Sequence, residues 1–488
     1  MSGEEQARRL RWVDFVTINS YWLGFNFVSA SITPVLLPYL VALFVPADQK
    51  NTYLANIRVV SLAVAMLLQP IAGMLSDRCT HPLGRRRPYI IGGTVGTVLF
   101  LVVIGLAPQF ADTALDGGIM AAYWVLLAGI VLVQGASNVA LGAVLGLIPD
   151  LVPREQRGRA SGVKAVMELF PAFLVIPIGL MLDAAYIWAI LGLIGAVLVA
   201  AMVVTVVTVR EQRLDVKPTG GIIEPLLRLV ALTATFVATT RVAVWLVTHG
   251  GAWLAGTEAG TTMHVLLIGG AGLVGMAVSI FAGVYLSAWI GIGREAGQQR
   301  SFIWWVINRL LFLAAIGSIQ GFAQYYLSDV LHVPNPATAT TLVLAVVAVF
   351  LIASALGGGT LADRIGRKRL VGLAALAAAA GVGVLLLARD LPLAIVAASI
   401  MGSGTGLFLA TNWALGTDLV PSDEAGRYLG ISNLAGAGAG IVGVGIGGPM
   451  ADFFNALRPG LGYSVVMALY GVLFLLSAVA LTRIKAGR

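Results

Sequence analysis

Apolar runs broken by short polar or basic stretches fill the chain from about residue 14 to residue 482. A helix crossing the hydrocarbon core of a bilayer needs roughly 20 apolar residues at ~1.5 Å rise each. Segments of that kind fall near residues 14–45, 57–75, 89–107, 119–148, 162–182 and 186–208. Two follow near 223–248 and 263–291, and six more near 302–328, 338–359, 369–388, 393–416, 428–450 and 462–482. The pattern predicts an all-α polytopic membrane protein with fourteen spans, arranged as six, an inserted pair and six more. The segment 223–248 carries Arg228 and Arg241, and it reads also as an amphipathic helix lying at the interface. The first apolar run is too long for a secretory signal and lacks a clear cleavage site.

Composition narrows the class. Hydrophobic residues make up 58% of the 488 and charged residues 11%, against roughly 25% charged in soluble domains. Mean hydropathy is +0.92. Such a surface cannot face water, so a soluble globular protein is excluded. The 59 glycines fit membrane helices whose backbones approach closely. The single cysteine, Cys79, excludes an internal disulfide and a cysteine zinc site. His81, His249, His264 and His332 are scattered without metal-ligand spacing, so neither metal nor cofactor is expected. No Gly-x-x-x-x-Gly-Lys-[Ser/Thr] loop supports an ATP-driven pump, and no hydrolase motif supports an enzyme.

The net charge of +8 sits in clusters between apolar runs, which points to membrane orientation and away from nucleic acid. One side holds Arg8, Arg9, Arg11, the cluster Arg78–Arg87, Arg154, Arg157, Arg159, Lys164, Arg210, Arg213, Lys217, Arg294, Arg300, the run Arg364–Arg369, Arg427 and the tail. The opposite loops are assigned only Lys50, Arg58, Arg389 and Arg458. Both termini are therefore expected in the cytoplasm, in a multi-pass protein of the cell membrane.

The chain repeats itself. Gly73-Met-Leu-Ser-Asp77-Arg78, with Gly84-Arg85-Arg86-Arg87 after it, ends the second span. Gly359-Thr-Leu-Ala-Asp363-Arg364, with Gly366-Arg367-Lys368-Arg369, ends the second span of the last six. Asp150-Leu-Val-Pro153 with Gly158-Arg159 follows the fourth span, and Asp418-Leu-Val-Pro421 with Gly426-Arg427 follows its counterpart. Two motifs at matching ordinals divide the chain into a six-helix half (1–214), a central insert (215–300) and a second six-helix half (301–488). These motifs resemble the helix 2–3 signature of the major facilitator superfamily. The resemblance implies two halves related by pseudo-twofold symmetry around a path that opens alternately to each side. Ser76-Asp77-Arg78-Cys79-Thr80, then Gly84 through Tyr89, is similar to the sucrose and glycoside cation-symporter branch, as is Asp150 through Gly162. The plant members place an arginine and then an aspartate after Gln-Gly on helix 4; here Gln134-Gly135 is followed by Ala136, Ser137 and Asn138.

Asp77 and Asp363 stand at helix ends where a carboxylate can accept charge-assisted hydrogen bonds from the following arginines or a neighbouring helix N-terminus. Such contacts form a latch that biases a conformational equilibrium; plain positive-inside topology is the other reading. Asp150 and Asp418 are expected to pair with Arg159 and Arg427, or merely to cap helices. Polar residues deep in spans are costly and by default face the interior. Asn19, Trp22, Asn26 and Ser29 share a face of the first span, and Gln134 and Asn138 a face of the fourth. In the second half Arg309, Gln320 and Gln324 form a stripe beside Tyr325, and Asn412 with Trp413 makes an amide–aromatic pair. Amides and aromatic rings suit a polyhydroxyl ligand; interhelical hydrogen bonding, and snorkelling of Arg309, are the plainer readings. Glu168 is the deepest carboxylate of the first half. Burial disfavours its charged form, as a proton carrier requires, whereas Lys164 four residues earlier favours it.

These features predict a secondary transporter, first a proton-coupled symporter of a sugar or glycoside. A proton-linked exporter of small amphiphiles is the alternative, favoured by the inserted pair, and a non-transporting receptor or scaffold belongs to another class. The partners expected are a small molecule, protons and the bilayer. A monomer is expected, with the insert as the place for any oligomeric contact.

Overall fold

The computed structural model describes residues 10–111, 121–209, 211, 221, 223–255, 260–293, 299–419 and 425–485. Fourteen helices among the described residues are long and apolar enough to cross a membrane. In the first half these are α1 (Trp12–Phe44), α2 (Lys50–Ser76), α3 (Arg87–Phe110), α4 (Ala121–Leu151), α5 (Arg157–Asp183) and α6 (Ile187–Thr208). The inserted pair is α7 (Ile223–Leu254) and α8 (Thr261–Ile290). The second half comprises α9 (Arg300–Asp329), α10 (Pro336–Ile365), α11 (Arg367–Leu387), α12 (Leu391–Asp418), α13 (Ala425–Leu457) and α14 (Leu461–Arg483). Helices are the expected solution, because backbone groups in hydrocarbon must be satisfied within their own segment. Outward faces stay apolar, with Leu99, Val203, Leu387 and Val479 exposed.

Packing repeats along with sequence. In the first half α3 lies on α4, α2 on α4, α1 on α6 and α3 on α6; in the second α11 lies on α12, α10 on α12, α9 on α14 and α11 on α14. Across the seam α2 packs on α13, the fifth helix of the other half, and α10 packs on the Ile176–Asp183 part of α5. Each half thus offers its second helix to the fifth of its mate, which is pseudo-twofold symmetry expressed as contacts.

The inserted pair packs on itself and on α13, with α7 also on α2 and α8 also on α9. The glycines of α8 meet this chain's own core: a Cβ at Gly272 would strike Met450 and one at Gly275 would lie 2.9 Å from Ala243 Cβ. The segment with the two arginines is a full-length helix. Arg228 pairs with Glu224 one turn back, and Arg241 Nη1 donates to Asn56 Oδ1 of α2 at 3.3 Å.

One boundary changes the chemistry. The second span begins at Lys50, not near 57. Arg58 is therefore not in a loop but inside α2, eight residues from its start, and it faces the centre of the molecule. The polar run Lys50, Asn51, Thr52 and Asn56 reads as loop, yet each residue has a partner from another helix.

Candidate functional site

A cavity of about 390 Å³ lies between the halves. The first half supplies Asn26, Ser29 and Thr33 from α1, Arg58 from α2, Gln134 from α4 and Glu168 with Pro171 from α5. The second half supplies Gln320 from α9 and an apolar wall of Leu344, Val347 and Leu351 from α10. Local backbone irregularities shape this space. α1 widens into a π turn over Ile32–Leu36 around Pro34, which has no N–H to give. α5 is interrupted after Leu169, where Pro171 starts a new turn, so Glu168 sits directly before a break in its helix.

Two opposite charges face this one cavity. Arg58 Nη2 donates to the Gly317 carbonyl at 3.4 Å, while its Nη1 is buried without a partner among the described residues. Gly321 makes room for this side chain, since a Cβ there would fall 1.6 Å from Arg58 Nη1. Glu168 pairs with Lys164 at 2.9 Å, and Lys164 Nζ stands 4.0 Å from the centre of the Trp22 ring. Glu168 keeps a third of its side chain exposed, so the carboxylate remains reachable from the cavity.

Other sequence candidates lie elsewhere. Asn19 is buried between α1 and α5, donating to the Phe15 and Ala160 carbonyls at 2.8 and 3.2 Å. Asn138 donates back to the Gln134 carbonyl at 2.8 Å. Gln324, with its amide nitrogen turned toward α1, donates to the Val35 carbonyl at 2.8 Å, and Tyr325 Oη donates to the Pro38 carbonyl at 2.8 Å. These two join the halves rather than line the cavity. Arg309 packs within the second half, 5.0 Å from the Trp413 ring centre and 3.4 Å from Asn412 Oδ1. Asn412 donates to Asn308 Oδ1 at 2.8 Å. Of the three polar faces, then, the cavity receives Asn26, Ser29, Gln134 and Gln320.

The repeated motifs gather at the end of the molecule where α1 begins and α14 ends, here called the terminal end. Arg86 is buried and organises the first set: Nε bonds Asp150 at 2.9 Å, Nη2 bonds Asp77 at 2.5 Å and Nη1 donates to Ser76 Oγ at 2.9 Å. Arg85 adds a second bond to Asp150 at 2.5 Å. In the second set Arg367 bonds Asp418 at 2.7 Å. The expected partners were different. Arg159 is exposed and Asp150 is taken by the loop arginines, because the helix 2–3 loop folds over the end of α4; the Arg427 side chain lies outside the described residues. Arg87 donates to the Val209 carbonyl after α6, and Lys368 donates to the Ile484 carbonyl after α14 at 2.7 Å. Both loops turn on a glycine with positive φ, +111° at Gly84 and +91° at Gly366. Gly73 faces Gly142 where α2 crosses α4, and a Cβ on Gly142 would come 2.3 Å from the Gln69 carbonyl. Asp363 and Arg364 are exposed. Glu211 accepts from the Arg86 amide at 2.7 Å; burial pushes its carboxyl up, against the pull of Arg86 and Arg87. All of these pairs lie inside one half or the other.

Polar contacts between the halves gather at the opposite, distal end. Lys50 bonds Asp329 at 2.6 Å, and Tyr463 donates to the same carboxylate at 2.7 Å. Asp452 of α13 accepts from the amides of Asn51 and Thr52 at 3.2 and 2.7 Å and from Asn51 Nδ2 at 2.8 Å. It therefore caps the N-terminus of α2 from across the seam. Asp183 of α5 accepts from the Thr338 amide of α10 at 2.9 Å and from its hydroxyl at 2.5 Å. None of these distal residues carries a sequence motif; only their polarity at helix ends hinted at them.

The geometry has counterparts in known proteins. The chain is 36% identical over 107 residues to sucrose transport protein SUT1 of Oryza sativa subsp. japonica, which is 20% of each protein. It is 28% identical over 148 residues to solute carrier family 45 member 4 of Mus musculus, covering 29% of this chain and 18% of that one. The matched stretch thus spans about a fifth of the length of these curated relatives. A crystal structure titled D-xylose-proton symporter superposes with a TM-score of 0.60 at 16% identity, covering 96% of this chain and 97% of that one. An auto-inhibited POT family peptide transporter superposes with a TM-score of 0.65 at 14% identity, covering 98% and 97%. The Major Facilitator Superfamily profile matches residues 23–444 and, a second time, residues 305–486. A repeated six-span architecture, the twice-written loop motif, and a profile match that runs through both halves make this chain a multi-pass member of the Major Facilitator Superfamily.

Proposed function

We propose that the chain is a secondary active transporter that carries a sugar or glycoside together with protons by alternating access. The observation that carries this reading is the cavity at the seam, where amide and hydroxyl groups of Asn26, Ser29, Thr33, Gln134 and Gln320 stand beside Arg58 and Glu168. Amides and hydroxyls offer both donors and acceptors to a ligand rich in hydroxyl groups. Similarity to sucrose transport proteins supports this ligand class. None of the described residues of the inserted pair lines the cavity, so the feature that favoured an amphiphile exporter stays outside the site.

In this reading the terminal end is cytoplasmic, as the arginine-rich loops require, and the protein resides in the cell membrane. The distal contacts then close the outside, and the conformation is inward-facing. Glu168 carries the coupling proton. Ionised, it holds Lys164 at 2.9 Å while the same ammonium stands over Trp22; protonated, it loses that charge-assisted bond, and Lys164 is left with the Trp22 contact alone. The proton thereby changes the α1–α5 contact beside the ligand. The repeated motifs keep each half rigid while the halves rock. Transport should be tested in proteoliposomes with labelled sucrose and other glycosides under an imposed pH gradient. Glu168→Gln is expected to abolish uphill uptake while sparing ligand counterflow; full pH-driven accumulation in that variant refutes the proton assignment. Absence of any glycoside flux in the unaltered protein refutes the ligand class.

A further inference from the structure

A second concavity, of about 400 Å³, opens between α8 and α9 away from the seam cavity. Its floor is one face of α9, with Arg300, Ile303, Trp304 and Ile307 at i, i+3, i+4 and i+7, and its wall is Phe281 and Tyr285 of α8, one turn apart. Phe281 and Trp304 meet edge to face at 5.5 Å and close its inner end. Both helices reach the terminal end at this place, and Arg300 is the first residue of α9. Arg300 is exposed and has no carboxylate partner among the described residues. Next to it along α9, Ser301 Oγ accepts from the Lys485 amide at 3.1 Å. The groove therefore runs from a cationic mouth at the membrane boundary to an aromatic and aliphatic interior facing hydrocarbon.

We propose that this groove is a binding site for an anionic phospholipid, with the headgroup phosphate on Arg300 and an acyl chain along Ile303, Trp304, Ile307 and Phe281. The chemistry is complementary at both ends. Guanidinium donors match a phosphate oxygen pair, and basic pockets between membrane helices recognise anionic headgroups. The exposed Tyr285 and Trp289 place an aromatic belt at the depth where headgroup meets chain. A lipid held here bridges the inserted pair to the first helix of the second half, and the bridge does not depend on which solute the seam cavity carries.

The test uses the full chain, purified in detergent and offered phosphatidylglycerol or phosphatidylcholine of matched chains, with bound lipid counted by native mass spectrometry. The unaltered protein is expected to retain phosphatidylglycerol preferentially. Arg300→Gln should lower that retention about fivefold, the factor one basic residue contributes at an anionic surface, and Arg300→Lys should restore part of it. Brominated phosphatidylglycerol gives a second readout in the unaltered protein. It should quench a component of tryptophan fluorescence that Trp304→Phe removes. Equal retention of the two lipids, as for bulk annular lipid, overturns the proposal. So does phosphatidylglycerol retention unchanged in Arg300→Gln, quenching unchanged in Trp304→Phe, or a dimer whose formation excludes lipid.

Discussion

Arg58 is the residue on which the site turns. A cation inside a span is costly and persists where it serves an interior pathway. Here it reaches across the seam to the Gly317 carbonyl with one amino group and keeps another buried without a partner among the described residues. A ligand hydroxyl or anion-bearing group would meet the part of the Arg58 side chain that lines the cavity. Arg58→Gln is expected to weaken ligand binding by roughly 10- to 150-fold, the ~1.5–3 kcal/mol of a charged hydrogen bond. Arg58→Lys should recover little, since a point charge cannot reproduce the guanidinium fork. Counterflow at varied ligand concentration reads this out, and an unchanged apparent KM in Arg58→Gln would remove Arg58 from the site. Sequence alone put this arginine in a loop. Lys50, Asn51, Thr52 and Asn56 look solvated when read in order, and what satisfies Asn51 and Thr52 is Asp452, some 400 positions away. Glu168 was legible for the opposite reason: it interrupts an apolar run, and no local partner except Lys164 explains it.

Among elements, the α2–α13 pair joins the halves through a helix cap. Asp452 satisfies two N-terminal amides of α2, groups that would otherwise lack partners at a buried helix end. Rocking the halves apart at the distal end must break this cap, so the cap counts toward the distal-closed state and not toward folding of either half. Asp452→Ala is expected to shift the equilibrium toward distal opening by the ~0.5–2 kcal/mol of a lost cap, about 2- to 30-fold. Distance measurements between spin labels on distal loops of the two halves would detect the shift. An unchanged distance distribution would show that the cap carries no conformational weight. The helices themselves were legible, because a run of apolar residues long enough to span has one structural solution in lipid. Partner choice at the helix ends was not. Sequence spacing paired the carboxylate Asp150 with Arg159, and only the fold of the loop through Gly84 brings Arg85 and Arg86 to it instead.

For the whole molecule, the repeat in sequence becomes a repeat in packing, and two seams, α2 with α13 and α10 with α5, share the work of closing one end. Motif spacing could reveal the repeat, since equal loops imply equal halves. It could not reveal the conformational state, which rests on unmotivated polar residues scattered over helix ends. The α10–α5 seam offers the cleanest way to displace that state. Gly179 lies so near α10 that an added Cβ would stand 2.8 Å from the Ala337 carbonyl oxygen and from Thr338 Cα. Both are backbone atoms, so the neighbour cannot yield by rotating a side chain. Gly179→Leu therefore acts as a wedge at the distal end; overpacking of this kind costs ~1–3 kcal/mol and is relieved if the halves part there. The expected result is a distal-open population raised about 5- to 150-fold relative to the closed one. Cys79 is the single native cysteine, so a Cys79→Ser background carrying Thr33→Cys reports access to the cavity. A membrane-impermeant thiol reagent applied from the distal side should label Thr33→Cys faster with the wedge than without it. Net transport should fall, because a molecule held open at one end no longer alternates. Unchanged labelling together with unchanged transport would mean that the seam tolerates the wedge, and that α10 and α5 do not form a gate.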